Sequence, residues 1–93
     1  TLVIPKKEVD YIFFFFFKEY EELWHFAQKV AKAIKKVIRC ERVSIVVVGL
    51  EVPHAHIHLI PIDYVHEINF ALPKKIFSNL EMTEIAKNIK TAI

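Results

Sequence analysis

The chain has 93 residues, 54% of them apolar and 26% charged, which is enough for one compact domain with a modest core and too little for two. Thirteen Lys and Arg against eleven Asp and Glu give a formal charge of +2 with no long run of either sign, so a general nucleic-acid binder is not expected. The longest apolar run, Ile12 to Phe17, is far short of the roughly 20 residues of a membrane-spanning helix. Cys40 is the single cysteine and can form no internal disulfide; with no signal-like start, a reduced, cytoplasmic setting is expected.

Thr1 stands where a Met would open a chain and runs at once into Leu2-Val3-Ile4, which reads as a start inside a structured element. That short β-prone stretch is stopped by Pro5, which cannot donate to a strand ladder, and Lys6-Lys7-Glu8 follows as a polar turn. Phe13 to Phe17 fit no period: a hydrophobic approach partly covered by the next helix, an exposed patch that drives self-association, and an engineered or misassigned stretch are the three readings open. From Glu19 to Ile38, Tyr20, Leu23, Trp24, Ala27, Val30, Ala31, Ile34, Val37 and Ile38 recur at three- and four-residue steps, one face of a long helix. Its acidic beginning and basic second half complement the helix dipole.

Val43 to Val48 is almost wholly β-branched and reads as a strand buried on both faces or lying at the centre of a sheet. Gly49 to Pro53 is a short connection, and Ala55 to Ile62 a second strand, paired antiparallel with the first. Periodicity is lost from Asp63 to Phe77, where Pro73-Lys74-Lys75 suggests a surface excursion. Ser78-Asn79-Leu80-Glu81 has the form of a capping box, and Met82, Ile85, Ala86, Ile89, Ala92 and Ile93 then repeat at helical spacing.

The segment His54-Ala55-His56-Ile57-His58-Leu59-Ile60 carries the chemistry. A strand alternates its side chains, so the three imidazoles share one face while Ala55, Ile57 and Leu59 face the core, with neighbouring histidines about 6.5 to 7 Å apart at Cα. Imidazole titrates near neutrality, and a row of three can combine a neutral nucleophile, a proton donor and a cationic stabiliser. Three core histidines at strict two-residue spacing would each need a hydrogen-bond partner, which weighs against a purely structural role. Zinc is the rival, but the nearby His66, Glu51 and Cys40 show no metal-ligand spacing.

His-x-His-x-His with apolar residues between and after it resembles the signature of the histidine-triad (HIT) family. Thr1 to Lys7 resembles the family's strand into a Pro-Lys turn ahead of its long helix, and Val43 to Pro61 its last strand pair, so the likeness covers most of residues 1–62. The resemblance implies a cofactor-free nucleotide hydrolase or nucleotidyl transferase, usually a homodimer. Its substrates would be nucleoside phosphoramidates, dinucleoside polyphosphates or adenylylated compounds. By carry-over, His56 attacks the α-phosphorus to form a covalent nucleotidyl-histidine, while His54 and His58 orient it, stabilise phosphate charge and assist protonation. Gly49 and Glu51, with His54 and His58, would contact the nucleotide, the backbone amides after Gly49 adding to an anion site. Leu50 and Glu51 stand where the family often has Gln followed by Ser or Thr, and Glu8 where many relatives carry His. The family's first strands have no counterpart ahead of Thr1, which suggests an N-terminally incomplete domain with a sheet edge open to a second chain.

The expected fold is α+β: one domain over residues 1–93, with a small antiparallel sheet bearing the triad, packed against the long helix, and a tail over 63–93 that ends in a C-terminal helix. Three functions remain open: a metal-independent hydrolase or transferase, a nucleotide-binding module without turnover, and a metal protein using His54, His56 and His58.

Overall fold

A computed structural model describes residues 1–71 and 76–93; the excursion expected at Pro73-Lys74-Lys75 lies outside the described residues. The amphipathic stretch folds into α1 (Phe17–Val37), preceded by β1 (Leu2–Val3) and a 3-10 turn (Ile12–Phe14), and followed by β2 (Arg42–Val46), β3 (Ile57–Ile62), a second 3-10 turn (Val65–Ile68) and α2 (Asn79–Ala92). Leu23, Ala27, Val30 and Ile34 are buried along one stripe of α1, together with Ala33. The N-cap, Phe16, offers no side-chain acceptor. Lys7 holds this end instead: its ammonium pairs with Glu19 at 3.2 Å and lies 5.3 Å from the centre of the Phe16 ring. At the other end, Lys35 donates to the carbonyls of Cys40 and Glu41 just beyond the helix.

The sheet is antiparallel throughout and ordered β1-β3-β2. This corrects the reading of Val43 to Val48 as a central or doubly buried strand. Its ladder stops at Val46, it lies at the edge, and Ile45 is half exposed. β-branching signals an extended backbone but not which strands flank it. The centre goes to β3, whose Ile57 and Leu59 are fully buried against α1. The register sets Val3 opposite Ile57 on the core face, and both Leu2 and Val46 opposite His58 on the other face.

The capping box ahead of α2 forms in both halves: the Glu81 amide donates to Ser78 Oγ at 3.1 Å and the Ser78 amide to Glu81 Oε1 at 3.2 Å. α2 packs on α1 through Ile89, with Ile85 and Ala92 partly buried, while Met82 stays exposed. The architecture is α+β, as the residue pattern implies. Among the described residues no helix is long and apolar enough to cross a membrane.

The pentaphenylalanine segment is not covered by the helix it leads into. Only Phe15 packs against the core; Phe13, Phe14, Phe16 and Phe17 are between 66% and 77% exposed. A tight 3-10 turn passes directly into an extended N-cap, and five consecutive rings cannot all turn toward one core there. Tyr11 stacks edge-on against Phe13 and Phe14, so the patch holds together as an aromatic cluster.

Candidate active site

The strand carrying the histidines is shorter than its sequence suggests: only His58 lies in β3, and His54 and His56 precede it. The alternation nevertheless continues backward through residue 54. Ala55, Ile57 and Leu59 are buried, and His54, His56 and His58 are half-buried on the opposite side. The backbone ahead of the strand is held by a bond from the Ala55 amide to the Val9 carbonyl at 2.7 Å, which extends the strand's geometry without a ladder partner.

The three imidazoles form a directed chain. His54 Nε2 lies 2.9 Å from the Pro5 carbonyl oxygen, and His56 Nδ1 lies 2.9 Å from the carbonyl of His54. A carbonyl only accepts, so each of these ring nitrogens carries a proton and donates. In neutral His56 the lone pair is therefore on Nε2. That nitrogen is 3.1 Å from His58 Nε2, whose N–H donates to it. The His56 and His58 rings meet edge to face with centroids 4.8 Å apart, and the Phe70 ring centre lies 5.2 Å from that of His58. A neutral ring with one nitrogen fixed as donor and the other carrying the lone pair is the form a nucleophile or general base requires, and here an electrophile would take the place of the His58 N–H on that pair.

Gly49 and His56 both line one cavity of about 320 Å³, walled also by Tyr11, Trp24, Val47 and Val48. Gly49 has φ +75°, a left-handed conformation that favours glycine, and a Cβ placed there would meet nothing within 4 Å. The glycine is thus required by the turn and leaves its backbone open on that side. Glu51 is not brought to this cavity; it stands exposed in the loop, and its side chain makes no ion pair or hydrogen bond among the described residues. Among the described residues no three His, Cys, Asp or Glu side chains converge as a metal site.

A sequence model of the HIT domain matches residues 1–65, more than two thirds of the chain. The chain belongs to the HIT domain family. The family is generally one of nucleotide-binding hydrolases and transferases. Among solved structures, the chain is similar to a histidine triad protein from Bradyrhizobium japonicum, with a TM-score of 0.87 and 17% identity over 99% of this chain and 73% of that one. A histidine triad protein from Sinorhizobium meliloti gives 0.83 and 19% over the same shares. A Hit-like protein from Bartonella henselae, described as involved in cell-cycle regulation and solved with an unknown ligand, gives 0.73 and 24% over 99% of this chain and 69% of that one. At these identities the likeness is one of fold.

The sequence marked the three histidines but not what holds them. Pro5 matters through a backbone oxygen, which no side-chain pattern reveals, and Phe70 lies in the stretch where periodicity is lost. Trp24 belonged to the helix's apolar stripe, and only the fold makes it a cavity wall beside His56.

Proposed function

We propose that this HIT domain protein is a nucleotide hydrolase or nucleotidyl transferase acting at the α-phosphate of nucleoside phosphoramidates, dinucleoside polyphosphates or adenylylated compounds, with His56 Nε2 as nucleophile. The observation that carries this is the bond from His56 Nδ1 to the His54 carbonyl, which leaves the lone pair on the nitrogen facing away from the backbone. In the first step the Nε2–P bond forms and the bond from phosphorus to the leaving group breaks, the leaving atom taking up a proton from solvent. In the second, water adds to phosphorus, the N–P bond breaks, and the pair returns to Nε2 as the water gives its proton back to solvent. His58 donates toward the reacting nitrogen and stabilises phosphate charge; His54 anchors the row through Pro5. The open backbone at Gly49 supports anion binding, and Glu51 reaches the ribose or leaving group only if its loop closes over bound nucleotide. The reading needs no metal or cofactor. It includes a cytoplasmic homodimer, supported by the free thiol of Cys40 and by the outer strand β2, whose half-exposed Ile45 leaves an edge for a second copy.

One observation favours a nucleotide-binding module without turnover: Leu50 is 88% exposed beside exposed Glu51, where relatives often carry polar phosphate contacts. Mass spectrometry of the protein quenched during turnover of an adenosine phosphoramidate separates the two. The expected result is an adenylyl adduct on wild-type protein and none on His56→Ala. Turnover should fall by at least about a thousandfold while adenosine monophosphate affinity changes only a few-fold, because the lost bond exists only along the reaction path. Nucleotide binding with neither adduct nor turnover would establish the binding module. Activity lost on chelation and restored by zinc would establish metal chemistry.

A further inference from the structure

The cavity that His56 shares with Gly49 extends beneath the loop to Trp24, and Trp24 presents an anomaly: its indole Nε1 is buried and has no hydrogen-bond partner among the described residues. Buried donors are nearly always paired, so an orphan in a cavity wall marks where an acceptor belongs. The remaining walls are mainly apolar or aromatic, with Tyr11, Val47 and Val48 among them, together with the edge residue Ile45 and one carboxylate, Asp10. A cavity of about 150 Å³ already accepts a benzene ring, so the 320 Å³ here exceeds what one ring needs.

We propose that this cavity is the subsite for the leaving group of the substrate, selecting a flat aromatic group that carries a hydrogen-bond acceptor, with Trp24 Nε1 donating to that acceptor. The assignment to a leaving group rests on the reading of His56 as nucleophile. The preference for an aromatic acceptor rests on the cavity alone. Its apolar walls favour a ring over a flexible polar chain, and the single buried donor discriminates between rings with and without an acceptor, since an unpaired donor is penalised on binding the wrong one.

The test uses N-(4-acetylbenzyl) and N-benzyl adenosine phosphoramidates, together with free 4-acetylbenzylamine. Trp24 is the only tryptophan and lines both this cavity and a groove along α1, so its quenching is read together with Gly49 and Ala55, which line the cavity but not the groove. The free amine should quench it saturably and shift the amide resonances of Gly49 and Ala55. The kcat/KM ratio of acetylbenzyl to benzyl substrate should be about tenfold higher in wild type than in Trp24→Phe; comparing ratios cancels the intrinsic reactivity of the two amines. Val48→Phe, which fills the cavity from a half-exposed position, should abolish the amine-induced shifts and serves if Trp24→Phe does not fold. An unchanged ratio with no saturable quenching overturns the proposal. So does quenching by adenosine that competes with the amine, which would make the cavity a base pocket. If neither phosphoramidate is turned over, the hydrolase reading fails, and the amine titration decides the cavity by itself: saturable quenching with the Gly49 and Ala55 shifts supports it, and their absence overturns it.

Discussion

Residues 54–60 and residues 13–17 are both rich in rings, yet one becomes an ordered row and the other an exposed cluster. In the first, apolar residues alternate with histidines, so an extended backbone sends Ala55, Ile57 and Leu59 into the core and leaves the three imidazoles half-buried on the opposite side. In the second, hydrophobicity is higher but has no period, and a 3-10 turn meeting a helix start gives the rings no common face. Four of the five remain exposed. The difference shows that periodicity, more than apolar content, decides burial.

The largest effect that would sharpen this contrast comes from the core face of the triad strand. Ile57 is completely buried, so Ile57→Ala should lower stability by about 2–5 kcal/mol, read as a shifted midpoint in urea. A loss under about 1 kcal/mol would show that the alternation does not anchor the row. On the opposite face, His54→Ala removes the bond to Pro5 that anchors the row. Turnover is expected to fall about ten- to a hundredfold, with the nucleotidyl adduct still detectable; complete loss of the adduct would instead make His54 as indispensable as His56.

A smaller effect belongs to the one terminal signal legible as a local motif. Ser78→Ala removes the acceptor for the Glu81 amide and should cost about 1 kcal/mol, visible as earlier exchange protection loss in α2 than in α1. The smallest is expected in the aromatic cluster, where Phe14→Ala should change stability by less than about 0.5 kcal/mol because that ring is 71% exposed. Its consequence should lie in association: replacing Phe14, Phe16 and Phe17 by Ser should reduce self-association in sedimentation at micromolar concentration. Unchanged sedimentation would leave the patch without a role in assembly.

Much of the fold could be read directly from the chain because its signals are local. The 3.6-residue stripe of α1, the Ser78 capping box and the two-residue alternation at His54 to Leu59 each depend on neighbours a few positions away. The same alternation determined that three imidazoles share a face. Strand order was decided only by tertiary structure: β-branched residues specify extension, whereas the central position of β3 depends on β1 reaching it from more than fifty residues away. The tautomer of His56 rests on a nearer contact, the carbonyl oxygen of His54 two residues back, which no side-chain pattern distinguishes from the carbonyl of any other residue. The cavity beside it joins Tyr11, Trp24 and Val48 across three separate segments, and no spacing in the sequence encodes a space between side chains.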